Sequence, residues 1–154
     1  MSGVSPDHKH PSPGRCVVDQ RVYTRMLLVS EFSIPPVQAE LHYRLSDPFA
    51  IQLRMALGAF DAVSWTFSRE LLIAGLSQPS GLGDVRIYPG GDGVLIELRA
   101  TAQPPAVLLA DRPDIEEFLR RSLAVVPIGS EVESYDIDAG LAWLSKRNGQ
   151  TRDA

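Results

Sequence analysis

Apolar and polar residues alternate along the middle of this chain with a period of two. The alternation covers residues 37–45, 49–57, 63–67 and 94–98, and in weaker form 22–30, 84–88 and 106–110. Period two with one polar face is typical of antiparallel β-strands. The pattern therefore predicts about seven strands.

Turn residues separate the strands where hairpins need them. Residues 89–93, with the sequence PGGDG, join two strand patterns, and Ser46-Asp47-Pro48 joins two others. A tight turn at the second site predicts three apolar cross-strand pairs, Leu45 with Phe49, Tyr43 with Ile51 and Leu41 with Leu53. On the polar face it predicts Glu40 opposite Arg54 and His42 opposite Gln52.

Three helices are predicted between and after the strands. Ser68 is a capping residue for a helix over 69–74 that ends at Gly75. The longest helix spans 111–126, and a third spans about 136–147 with acids at its start and bases at its end. Because the strands and helices are mostly segregated along the chain, the fold class is α+β.

Length and composition fit one folded domain. The chain has 154 residues, of which 44% are hydrophobic and 22% charged. We expect a flexible tail over 1–18, a single α+β domain over 19–147 and a second tail over 148–154. Neither a membrane span nor a secretory signal is predicted, so we expect a cytoplasmic protein.

Charge and cysteine content exclude several classes of function. The net charge of −4 argues against a dedicated nucleic-acid binder, although 13 of the 15 basic residues are arginines, which suit phosphate recognition. The single cysteine, Cys16, provides neither a disulfide framework nor a thiolate metal cage. His8 and His10 lie in the N-terminal tail and lack the further ligands that a structural metal site needs.

The sequence contains no catalytic motif. His42 could act as a general base and could be grouped on paper with Ser64 and Asp47, but no motif places these residues together, and His42 is predicted on the polar face. The glycine-rich segments 81–83 and 90–93 neither open a helix nor precede a Lys-Ser or Lys-Thr pair, so no phosphate cradle is indicated. We therefore expect no enzymatic activity, no cofactor and no metal.

Five residues are candidates for contacts with a partner or another subunit. Trp143 lies about 120° from the apolar stripe of the third helix, so it either contacts a partner or is covered within one subunit. Arg69 and Glu70 begin the first helix, where the dipole favours Glu70 and Arg69 can bind a carboxylate across the fold or across subunits. Gly129 is expected at a backbone angle that only glycine tolerates, where it would aim Glu131 and the last helix.

Four segments resemble, in order and spacing, the SsgA-like family of sporulation and cell-division proteins. Residues 47–51 resemble a DPYAV-type strand entry, and 63–72 a VEWVFARDLL-type strand-to-helix joint. Residues 75–89 resemble GL…P.G.GDVRVWP, and 126–131 a VPPGxE ending. The resemblance covers about residues 22–144 and is greatest to the SsgB branch. Ser68-Arg69-Glu70 departs from the usual Ala-Arg-Asp, and Tyr88 stands where tryptophan is common.

The resemblance implies a fold and a function. The fold is a twisted, whirly-like antiparallel sheet with helices, assembled as a bell-shaped homotrimer. The function is non-enzymatic: the protein positions or recruits the tubulin-like division protein FtsZ at septum sites through protein–protein contact. Other division proteins and other SsgA-like proteins are further implied partners, and no small-molecule substrate is implied. The whirly-like fold and the arginine bias leave single-stranded nucleic-acid binding as the alternative function.

Overall fold

The fold is a seven-stranded sheet with two helices, seen in a computed structural model that describes residues 19–56, 59, 62–101 and 103–134. The elements follow in chain order as β1 (Asp19–Val29), β2 (Pro36–Arg44), β3 (Asp47–Ala56), β4 (Val63–Ser68), α1 (Arg69–Gly75), β5 (Val85–Gly90), β6 (Gly93–Leu98), β7 (Ala106–Asp111) and α2 (Arg112–Val125). The predicted α+β class and the seven strands are confirmed.

The sheet has the strand order β4-β3-β2-β1-β7-β6-β5, and every neighbouring pair is antiparallel. Strand β1 therefore joins two meanders, β1 to β4 and β5 to β7. The sheet curls around the helices, with α1 in contact with β5 and β3, and α2 in contact with β1 and β7. This arrangement brings the two helices onto one face, which we call the inner face.

The core lies between the inner face of the sheet and the two helices. Alternate residues of each strand are buried there, as the period of two predicts. The stripe predicted for the second helix supplies the opposing side chains, and Ile115 and Phe118 are fully buried. A hydrogen bond also joins α2 to the sheet, because the Thr24 hydroxyl on β1 donates to the Asp114 carboxylate at a distance of 2.5 Å.

The predicted register of the β2–β3 hairpin is confirmed except at its turn. Leu41 pairs with Leu53, Tyr43 with Ile51, Glu40 with Arg54, and His42 with Gln52. The predicted pair of Leu45 with Phe49 is wrong, because Arg44 pairs with Asp47 and the register shifts between Tyr43 and Arg44. Pro48 lacks an N–H to continue the ladder, and its carbonyl instead accepts a hydrogen bond from the Tyr43 hydroxyl at 2.9 Å.

His42 is not on a solvated surface, contrary to the prediction. Its side chain is buried, and Nε2 lies 3.2 Å from an Asp19 carboxylate oxygen. His42 sits between Arg21 of β1 and Gln52 of β3 on the outer face of the sheet. These long side chains on both neighbouring strands remove a central-strand residue from solvent even on a polar face.

The predictions of the first two helices are confirmed within about one residue. Helix α1 begins at Arg69, and the Ser68 hydroxyl accepts the Leu71 N–H at 3.0 Å, which makes Ser68 the predicted cap. Residues 131–134 are helical, ahead of the predicted start of the third helix near 136. The segment predicted as the third helix, Trp143 within it and both predicted tails lie outside the described residues.

Candidate functional site around Arg69

The cap at Ser68 fixes the direction of the two charged residues that follow it. Arg69 is the first residue of α1, and its side chain is only 2% exposed, whereas Glu70 is exposed in the same first turn. A fully buried arginine requires hydrogen-bond partners for its guanidinium, because an unpaired buried charge is strongly unfavourable. The partners of Arg69 therefore define the centre of the site.

The guanidinium of Arg69 binds the carboxyl end of α2. One terminal nitrogen donates to the carbonyls of Ser122 at 3.1 Å and of Val126 at 2.7 Å. The last carbonyls of a helix have no partner within the helix and carry the negative end of its dipole. Arg69 thus acts as a charged cap for a helix more than fifty residues further along the chain.

The second terminal nitrogen of Arg69 donates to a Glu131 carboxylate oxygen at 2.7 Å. The sequence left open an ion pair within the fold or between subunits, and the structure shows the pair within one chain. The guanidinium carbon also lies 4.9 Å from the centre of the Tyr43 ring, within the range of a cation–π contact. Arg69 therefore links α1, β2, α2 and the segment after α2.

Gly129 and Glu131 form the turn that completes this arrangement. Gly129 has φ of +88°, a left-handed conformation that favours glycine, in agreement with the prediction. Its N–H donates at 2.6 Å to the Glu131 carboxylate oxygen that does not bind Arg69. The carboxylate therefore bridges the turn and the buried arginine.

The surroundings shift the pKa values of two acidic groups at the site. Hydrogen bonds from its own backbone N–H, from Arg69 and from the Gly129 N–H hold the pKa of Glu131 below its ordinary value of 4.5, against a smaller opposing effect of burial. Burial raises the pKa of Tyr43 to about 12, with nearby Arg69 opposing the rise and Glu131 and Asp47 adding to it. At neutral pH Glu131 is therefore ionised and Tyr43 is a neutral donor.

The shift at Glu131 predicts a pH dependence of stability. A depressed pKa in the folded state adds stability above the unfolded value of 4.5, and this contribution is lost as pH falls through the folded pKa. We expect Glu131→Gln to be less stable than the wild type by about 1 kcal/mol at pH 7. Urea unfolding at pH 7 and in acid checks this: the difference should shrink in acid, and a difference independent of pH contradicts it.

A surface cavity of about 490 Å³ opens beside this cluster. Glu70, Gly129 and Glu131 contribute to its wall, with Arg69 at its base, so four of the five candidate residues meet at one place. Its remaining lining is mostly apolar and consists of Pro48, Phe49, Ser68, Ile73, Ala74 and Ile128. Phe49 is 45% and Ile128 67% exposed, so the cavity presents apolar surface to solvent.

Several polar groups of the cavity are engaged within the fold. The Ser68 hydroxyl accepts the hydrogen bond that caps α1, and both terminal nitrogens of Arg69 donate to partners within the fold. In the ranges that the structure describes, no group of three or more His, Cys, Asp or Glu residues is arranged to hold a metal. No helix within those same ranges is long and apolar enough to cross a membrane.

Sequence reasoning missed the partners that make Arg69 structural. Tyr43 and the carbonyls of Ser122 and Val126 carry no motif, and backbone acceptors are identical in every sequence. The sequence offered only a general indication that a donor was needed at the end of the second helix. Pro127 follows Val126 directly, and a helix that ends before a proline leaves its last carbonyls in need of donors.

Comparison with known proteins places the chain in a family. The family model described as "Streptomyces sporulation and cell division protein, SsgA" matches residues 37–131. The sporulation-specific cell division protein SsgB of Streptomyces coelicolor is 38% identical over 130 residues, covering 82% of this chain and 94% of that protein. SsgB of Kineococcus radiotolerans is 43% identical over 115 residues, covering 71% of this chain and 68% of that protein.

Two solved structures agree with the sequence comparison. An SsgA-like sporulation-specific cell division protein from Thermobifida fusca superposes with a TM-score of 0.76 at 34% identity, over 82% of this chain and 95% of that one. A second structure comes from work on SsgB mutations that correlate with longitudinal cell division during sporulation of Streptomyces coelicolor. It superposes with a TM-score of 0.72 at 36% identity, over 77% of this chain and 96% of that one. The chain therefore belongs to the SsgA-like family, on its SsgB branch.

Proposed function

We propose that this chain is a non-enzymatic protein of sporulation-specific cell division that positions or recruits FtsZ at septum sites. The observation that carries the proposal is the kinship with proteins named sporulation-specific cell division protein SsgB, which extends over most of this chain and most of theirs. The recruitment of FtsZ is the function that the resemblance of the sequence implies. The chain would act in the cytoplasm and reach the septum through its partners.

The cavity beside Arg69 is the contact surface that we propose for a division protein. Arg69 itself is buried, so its role there is to hold Glu131 and the end of α2 in place. Glu70 is exposed on the rim, together with the apolar surface of Ile128. A charged residue beside an apolar patch is typical of protein–protein contact surfaces.

The proposal includes self-assembly. The resemblance implies a homotrimer, and contact with a filament-forming partner gains from several copies of one weak site because the effective concentration rises. Light scattering of the purified chain gives the mass directly. Three times 16.9 kDa supports the trimer, and a mass of one chain contradicts it.

The function is tested by co-sedimentation with FtsZ polymers. We expect the wild type to pellet with polymerised FtsZ and to remain in solution without it. Glu70→Lys should weaken the co-sedimentation, while Asp84→Lys, which reverses another exposed acid in the loop before β5, should not. Wild-type protein that stays in the supernatant with FtsZ polymers contradicts the proposal, and equal pelleting of the two variants contradicts the proposed surface.

One surface favours the alternative of single-stranded nucleic-acid binding. Arg21, Arg25 and Arg54 lie on the outer face of β1 and β3 around Tyr23, which is 71% exposed. Arginines around an exposed aromatic ring resemble a stacking platform, although Arg21 also lies 3.6 Å from the Glu40 and Asp19 carboxylates. Binding of labelled single strands that weakens with salt supports this function, and its absence at low salt excludes it.

A further inference from the structure

Helix α1 carries apolar residues on two sides. Leu72 and Gly75 are buried on the side that faces the sheet. Ile73 and Ala74 lie with Glu70 on the other side, where spacings of three and four residues put them in one row along the cavity wall. A helix that is apolar on both sides is typically covered on both sides. The described residues cover the row on the cavity side only in part.

The opposite wall of the cavity is apolar too. Phe49 at the start of β3 and Ile128 in the turn after α2 both expose much of their side chains there. The volume of about 490 Å³ lies within the usual range of ligand pockets, about 300–1,000 Å³. A large apolar side chain that enters the gap removes apolar surface of both walls from water, which is favourable.

One charge of the lining has no ion-pair partner. Arg69 and Glu131 bind each other, so the lining of two acids and one base has a net charge of −1 that lies on Glu70. Glu70 is exposed, and among the residues that the structure describes it forms no ion pair. The rim of the cavity therefore favours a cation.

The walls of the cavity are held together from below. Arg69 begins α1 and donates at 2.7 Å both to the Val126 carbonyl and to Glu131, which in turn accepts the Gly129 N–H. Buried, charge-assisted hydrogen bonds thus join α1 to the turn after α2. A ligand meets a preformed site, and little entropy is lost in ordering the walls.

We propose that this cavity binds a short peptide segment of a partner protein in which a large apolar side chain stands next to lysine or arginine. The proposal rests on the proposed function, because it names the chemistry of the partner at the contact surface proposed there. The apolar side chain packs between Ile73 and Ile128, and the basic side chain pairs with Glu70. Buried anchors supply most of the affinity of such contacts, and complementary charges supply specificity.

The first test uses an array of synthetic peptides in which leucine or phenylalanine stands next to lysine, serine or glutamate in a glycine-serine scaffold. We expect labelled wild-type protein to bind the lysine peptides about tenfold more tightly than the glutamate peptides. Glu70→Lys should invert this order, whereas Asp84→Lys, which reverses an exposed acid outside the cavity, should keep it. Equal or absent binding of the peptide sets overturns the proposal, as does an order that Glu70→Lys leaves unchanged.

A second variant separates the charge of Glu70 from its effect on folding. Glu70 lies in the first turn of α1, where a positive charge is unfavourable to the helix dipole. Glu70→Gln removes the charge and keeps the shape, so it should melt near the wild type and bind the three peptide sets about equally. A folded Glu70→Gln protein that still prefers lysine peptides contradicts the role assigned to Glu70.

The apolar contact is tested by a matched pair of serine substitutions. Ile128 lines the cavity and Val132 does not, and both are more than half exposed. Ile128→Ser should weaken the binding of the lysine peptides about threefold to tenfold without a change in melting, and Val132→Ser should bind like the wild type. Equal binding by the two variants overturns the apolar contact.

The C-terminal residues of the chain itself are the competing occupant. The described residues end at Ser134, shortly after Glu131 in the cavity wall, and Lys146 and Arg147 follow further along the sequence. Full-length protein that binds peptides only after Lys146→Glu and Arg147→Glu are combined would show that this segment fills the cavity. That outcome overturns the proposal of a partner segment.

The outcomes for peptides and for FtsZ are independent. A preference for lysine peptides that Glu70→Lys inverts, in a protein that does not pellet with FtsZ, supports the cavity chemistry and contradicts the recruitment. Pelleting with FtsZ without any preference among the peptides overturns the cavity chemistry and leaves the recruitment standing.

Discussion

Arg69→Met is expected to lower the stability of the fold by about 3–5 kcal/mol, which is the usual loss when one partner of a buried ion pair is removed. Methionine approximates the volume of the arginine stem but donates no hydrogen bond. The substitution leaves the carbonyls of Ser122 and Val126 without their donor and the Glu131 carboxylate without its counter-ion. The melting temperature should fall by about 10 °C or more.

Arg120→Met is the matched control for this prediction. Arg120 lies near the carboxyl end of α2, the end that Arg69 caps, but it is 69% exposed. Its bonds to Glu117 are made at the surface. Exposed ion pairs are screened by solvent and contribute little to stability, so the control should change the melting temperature by at most a few degrees. The melting temperature of Arg69→Lys should also stay well below that of the wild type. One ammonium group does not reproduce the several fixed donors of the planar guanidinium. Equal melting of Arg69→Met and Arg120→Met would contradict the role assigned to Arg69.

The alternation of side chains predicted most of the sheet because each face of a strand meets one environment. The β2–β3 register illustrates this, since Tyr43 opposite Ile51 and Glu40 opposite Arg54 satisfy both faces together. The prediction failed at Leu45 and Phe49, where the missing N–H of Pro48 and the hydroxyl of Tyr43 decide the turn. A local pattern contains the information on which face each residue occupies. It lacks the information on which hydrogen bonds form at a turn.

Alternation also concealed the apolar residues on the outer face of β1, β5, β6 and β7. Reading β6 as Val94, Ile96 and Leu98 against polar neighbours passes over Leu95, which faces the other way with Leu109 and Tyr88. A strand that is apolar on both faces contains an alternating pattern within it. Only the pairing of β1 with β7 shows that several such residues lie side by side.

The Arg69 site was only partly predictable for a related reason. Helix-dipole and capping rules gave the position of Glu70 and the cap at Ser68, which are local properties. Pairing Arg69 with Glu131 spans 62 residues and depends on where the curled sheet places the end of α2. The sequence identified both members as candidates, and the tertiary fold joined them.

Gly129→Val is expected to destabilise the protein by about 1–3 kcal/mol and to lower the oligomer mass. At φ of +88° a β-branched side chain meets its own backbone, and nothing else lies within 4 Å of the added Cβ, so the strain is purely conformational. Relieving that strain moves the Gly129 N–H away from Glu131, which in turn loosens the carboxylate that binds Arg69. The segment that continues from residue 131 then loses its fixed starting direction.

Gly129→Asn separates backbone conformation from side-chain size. Asparagine adopts left-handed angles far more readily than valine, and the space around residue 129 is open to both. We expect Gly129→Asn to melt near the wild type and to assemble normally, while Gly129→Val melts lower and loses oligomer mass in light scattering. Normal mass and melting in Gly129→Val would show that the turn does not set the direction of the C-terminal segment. Equal losses in both variants would instead assign the effect to the bulk of the side chain.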